Sequence, residues 1–172
     1  MRRLPLILAL LALFAAPLRA SAPDGWTAAW ASAQMVPAGD QVVPQEWLED
    51  ATLRQVIRVG LAGPRLRLRL SNVFGTQPLA IGGVTAARSA DNRTARIEPR
   101  SLIAVRFGGH AATVIPAGAE VWSDPVALPV TRGADLTISL YLPHAPAVPT
   151  GHPGSRATTY FAPGNHVSDE TL

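Results

Sequence analysis

The stretch RLRLRLSNVFG, from Arg65 to Gly75, constrains this chain more than any other feature. Three arginines alternate with three leucines before the pattern breaks at Ser71 and Asn72. A period of two is that of a β-strand, with Leu66, Leu68 and Leu70 on one face and Arg65, Arg67 and Arg69 on the other. The same period recurs along the chain, and no window after the first 22 residues keeps a helical repeat. Strands are expected over residues 26–34, 52–59, 65–71, 79–88, 101–107, 112–115, 120–128, 135–142 and 156–161. Gly63-Pro64, Gly75 with Pro78, Asp91-Asn92, Gly108-Gly109, Pro116-Ala117-Gly118, Arg132-Gly133 and Pro143 supply turn dihedrals or remove ladder donors between them. Many short strands so punctuated predict an all-β fold, an antiparallel β-sandwich of jelly-roll-like form.

Residues 1–22 have the organisation of a secretory signal. Arg2 and Arg3 form a charged start, residues 4–16 are apolar, and Ala20-Ser21-Ala22 offers small residues for cleavage. The apolar run is short for a membrane span, so a cleaved leader, no stable membrane anchor and a secreted or periplasmic sandwich over residues 23–172 are expected. About 150 mature residues bury roughly 68–70% of the unfolded surface on folding.

The chain carries 15 basic and 12 acidic residues, and every basic one is arginine. Arg2, Arg3 and Arg19 fall in the expected leader, which leaves the mature part formally neutral. A nucleic-acid partner would call for a basic excess, so that class is set aside. Without cysteine there is no disulfide framework and no thiolate metal site or nucleophile, and stability must come from the core. The arginine face is either solvated, the more frequent case for an antiparallel sheet, or docked against an acidic surface, and three arginines without intervening acids point to carboxylates on a neighbouring strand.

Four segments, TLRQVIRVGLAGPRLRLRLSNVFGTQPLAIGGV, IPAGAEVWSDPVALPV, ADLTISLYLP and TGHPGSRATTYFAPGNH, carry a resemblance across essentially the whole mature chain. Together they resemble the N-terminal β-sandwich of secreted bacterial GDSL/SGNH-type hydrolases, which precedes an α/β esterase domain. The resemblance implies an accessory domain whose partner is a catalytic SGNH domain in the same polypeptide, acting on acylated glycans or other esters. In that family the nucleophile lies in a Gly-Asp-Ser block further downstream. This chain contains no such block, so no catalytic residue is assigned and the chain is expected to be inactive alone. Arg65, Arg67, Arg69 and His152 are then the expected interdomain interface.

Other residues yield weaker patterns. Ser123 with Asp124 or Asp169 and one of the histidines is the nearest approach to a serine triad, but no strained strand-to-helix elbow presents the serine. His110, His144, His152 and His166 fall in expected loops without a metal-ligand pairing, so neither a metal nor another cofactor is expected. Trp26 and Trp30 share a strand face and suit packing. Trp47, among Glu46, Glu49 and Asp50, would instead be a stacking platform for a sugar, the feature of an alternative function as a free carbohydrate-binding module. Asn92-Arg93-Thr94 spells a glycosylation sequon but suits a turn.

Overall fold

The computed structural model describes residues 25–172; the expected leader lies outside the described residues. The fold is all-β and every strand pairing is antiparallel. Its main layer is a five-stranded sheet ordered β5-β4-β8-β1-β9. The strands are β1 (Ala51–Arg58), β4 (Gly83–Arg88), β5 (Ile103–Ala104), β8 (Asp135–Leu142) and β9 (Thr158–Pro163). Facing it are two ribbons, β2 (Arg69–Ser71) with β7 (Glu120–Trp122), and β3 (Leu79–Ile81) with β6 (Thr113–Ile115).

Alternation builds the core between these layers. Ile57, Val84, Ala86, Leu136, Ile138 and Leu142 enter from the main sheet and meet Ile81, Val105, Phe107, Ile115, Val126 and Leu128. Leu66, Leu68 and Leu70 pack against this cluster, as their alternation predicts. Strand β8 spans the expected 135–142, while the expected 79–88 strand divides at Gly82. There the chain leaves the β3 ribbon for the main sheet, and the Gly82 N–H donates to the Tyr141 carbonyl at 2.9 Å. A Cβ at Gly82 would lie 2.6 Å from the Tyr141 ring, so only glycine makes this corner.

Three expected strands are much shorter than predicted, that over 101–107 being reduced to β5, and one is absent. Residues 65–71 and 120–128 run side by side, but regular strand is confined to β2 and β7, beyond which a single bridge joins Leu66 to Val126. The expected strand over 26–34 does not form. Its alternation has no ladder to join: Ala29 accepts one hydrogen bond from Gly60, and Met35 alone pairs, with Gly151.

The outer face of the main sheet is polar, lined by Thr52, Arg54, Thr85, Thr137 and Ser139, all buried. A strap formed by residues 164–170 covers part of it. Thr52 donates to the Gly164 carbonyl at 2.7 Å and accepts from His166 N–H at 2.8 Å, and Thr85 donates to the Val167 carbonyl at 2.6 Å. Arg54, with no exposed surface, donates from Nε to Ser139 Oγ (2.8 Å) and from one terminal nitrogen to the Ala95 carbonyl (2.7 Å). Its other terminal nitrogen reaches the carbonyls of His166 (3.1 Å) and Asp169 (2.8 Å). Desolvation lowers the Arg54 pKa, and the Asp169 charge offsets part of that effect.

Candidate functional site

The arginine face is built on the pairing of residues 65–71 with residues 120–128. Leu66 exchanges two hydrogen bonds with Val126 (3.0 and 2.8 Å), and the Leu68 carbonyl accepts from Ser123 N–H at 2.8 Å. With the leucines turned inward, Arg65, Arg67 and Arg69 emerge beside Trp122 of β7 and Trp26 of the N-terminal segment. Arg65 and Arg67 lie 5.7 and 5.6 Å from the Trp26 ring centroid. Arg67 and Arg69 lie 5.6 and 5.4 Å from that of Trp122. The result is an interleaved row, Arg65–Trp26–Arg67–Trp122–Arg69, in which each indole serves two guanidinium groups. Arg67 also donates from Nε to the Ser123 carbonyl at 2.8 Å.

The expectation of cross-strand carboxylates is met once, by Glu120, which lies 3.6 Å from Arg69 and diagonally across the β2–β7 register. Around Arg65 and Arg67 the partners are aromatic instead. A cation over an exposed ring contributes about 0.5–1 kcal/mol, comparable to a surface ion pair. Trp122 stays 52% exposed despite its two neighbours. Nothing in the alternation of residues 65–70 announces this row, because both tryptophans come from segments remote in sequence.

Trp47 ends a short 3-10 helix, Gln45–Trp47, and is 54% exposed, its ring 5.9 Å from that of Phe161 on β9. Two of the three acids beside it, Glu49 and Asp50, are engaged. Glu49 accepts from Ala145 N–H at 2.8 Å and meets His144 Nδ1 at 3.1 Å, and these contacts lower its pKa. Asp50 accepts from the Tyr141 hydroxyl at 2.7 Å, which raises the tyrosine pKa. His152 is half-buried with an unpartnered Nδ1 and shares no hydrogen bond or ion pair with the arginine row among the described residues. His166 is paired with Asp169 at 2.8 Å, and His110 sits in an exposed turn.

Ser123 and Asp124 serve as clamps. The fully buried Ser123 hydroxyl accepts from Leu68 N–H at 2.9 Å and donates to the Asp124 carbonyl at 2.8 Å. The Asp124 carboxylate accepts from the N–H groups of Gly108 and Gly109 at 3.0 and 2.7 Å. No histidine hydrogen-bonds to either among the described residues, so the structure does not assemble a Ser123 triad. Asn72 is equally committed: its amide donates to the carbonyls of Gln77, Ile115 and Pro116 at 2.9, 3.1 and 3.2 Å, tying the end of β2 to the end of β6.

Among the described residues no cluster of three or more histidine or acidic side chains is placed to hold a metal ion. No helix among them is long and apolar enough to cross a membrane. Compared with known proteins, the chain matches no family model and no curated protein.

Proposed function

We propose that this chain is the non-catalytic β-sandwich of an exported SGNH-type esterase, working beside a catalytic domain on acylated glycans or other esters. One observation carries the reading. The polar residues in the segments that resemble the family are those that hold the sandwich together. Asn72 of the RLRLRLSNVFG segment joins the two ribbons, and Ser123 and Asp124 of VWSDP fasten two loops. The APGNH segment forms the start of the strap. Segments given over to architecture suit a support for a neighbouring domain. Half-buried His152, in the loop between β8 and β9, is the residue proposed to face that neighbour.

The gene itself supplies the test. A reading frame running on from Leu172 into a Gly-Asp-Ser block supports the proposal, and a downstream sequence with no such block in any frame overturns it. Purified chain should leave p-nitrophenyl acetate at the buffer rate, whereas turnover abolished by Ser123→Ala would refute the accessory role. The second reading, a free carbohydrate-binding module, rests on the exposed Trp47 ring braced by Phe161. Saturable binding of a neutral glycan that disappears in Trp47→Ala would establish it instead.

A further inference from the structure

We propose that the row Arg65–Trp26–Arg67–Trp122–Arg69 is a binding site for a carboxylated polysaccharide, a linear chain bearing uronate groups. The inference does not depend on the esterase parentage. A guanidinium within cation–π distance of an indole still has N–H donors to offer a carboxylate, and of the donors in the row only Arg67 Nε and those facing Glu120 are engaged among the described residues. Held by the rings, the arginines lose less rotamer freedom on binding than free side chains would. The half-exposed Trp122 ring adds an apolar surface for the C–H faces of a sugar.

Charge and placement point the same way. Glu120 answers Arg69 at one end of the row, while no described carboxylate lies within ion-pair distance of Arg65 or Arg67. Without the expected leader the chain is formally neutral, so attraction for a polyanion has to come from a local concentration of arginines such as this row and not from net charge. The row is five side chains long and narrow. A protein interface takes about 20–30 residues on each side, whereas a thread-like polymer needs only a track. The strap lies on the outer face of the opposite layer and makes no hydrogen bond or ion pair with the row among the described residues.

The test uses the whole chain with polygalacturonate in affinity electrophoresis and calorimetry, beside fully methyl-esterified polymer, polyglutamate and duplex DNA. The expected result is saturable binding to polygalacturonate that weakens about tenfold or more between low salt and about 0.5 M salt. The esterified polymer should not bind. Arg65→Gln with Arg67→Gln should weaken binding about tenfold or more, and Glu120→Gln should tighten it by removing the competing carboxylate. Arg65→Gln alone should weaken it without disturbing the fold, since among the described residues the Arg65 side chain is exposed and makes no hydrogen bond or ion pair, and it lies against the Trp26 ring. No binding at low salt, equal binding of the esterified polymer, or indifference to Arg65→Gln overturns the proposal. Equal or tighter retention of polyglutamate or DNA also overturns it, by assigning the row to an acidic protein surface or a phosphate backbone.

Discussion

Replacing Arg54 with methionine should unfasten the strap and lower the melting temperature by roughly 10 °C. Methionine follows the side chain only as far as the Nε position and donates nothing to the four oxygens that the guanidinium reaches. Each hydrogen bond from a charged group contributes about 1.5–3 kcal/mol. Part of that sum is regained because a charge no longer has to be taken out of water, an effect of several kcal/mol. Ser139 Oγ and the Ala95 carbonyl are bonded in buried surroundings and cannot turn to water, whereas the strap carbonyls are part-buried and can be wetted once the strap lifts. A net loss of about 3–5 kcal/mol follows, the usual result of removing one side of a buried polar set. At about 2–4 °C per kcal/mol for a domain of this size, the melt should shift by roughly 10 °C. Circular dichroism gives the melt, and amide exchange locates the opening in residues 164–170. Arg54→Lys should recover only part of the loss, since a single ammonium cannot reach all four acceptors. A methionine variant that melts within about 2 °C of the parent, with strap amides still protected, would refute the reasoning.

Gly75→Ala should destabilise the fold because its Cβ would collide with the Asn72 amide. In an Asn72→Ala background, itself weakened by about 2–3 kcal/mol, the Gly75→Ala penalty should largely vanish, and additive melts would disprove the link. His166 has its pKa raised above 6.5, chiefly by the hydrogen bond to Asp169. A raised histidine contributes stability that is complete below 6.5 and lost as pH climbs through the raised value. The melting advantage of the parent over Asp169→Asn should therefore be larger near pH 5.5 than near pH 8.5, and an equal or reversed gap rejects the pairing. Changing Arg65, Arg67 and Arg69 together to glutamine should cost about 2–5 kcal/mol, the worth of four exposed ring contacts and one surface ion pair, and leave a folded domain, while Leu68→Arg should abolish the cooperative melt.

Period-two alternation exposed the layered fold because each long strand has one apolar face. Strand β8, with Leu136, Ile138, Leu140 and Leu142 inward, could be placed from its residues alone. The segment at residues 26–34 misled for a physical reason: alternation describes side chains, while a strand also needs a neighbour for its backbone, and here none runs alongside. Arg54 was hidden in the opposite way. In TLRQVIR it occupies the polar face of a strand, where solvent is the ordinary surrounding, and only a segment more than a hundred residues later excludes the water. Asn72, Ser123 and Asp124 have the look of turn residues, and their clamping partners are likewise set by topology. The arginines of the candidate site were legible as a face, but their tryptophan partners were not.

The strap is recognised by its main chain. Thr52, Thr85, Arg54 and the Ile97 N–H all bind carbonyl oxygens of residues 164, 166, 167, 169 and 170, groups that every amino acid supplies. Identity at Asn165, Ser168 or Glu170 is thus free to drift over generations without loosening the closure. Spacing is not: deleting a single residue between Gly164 and Asp169 would slide the oxygens out of step with the donors on one side of the cut, so natural variation in this segment should appear as substitution and almost never as a change of length.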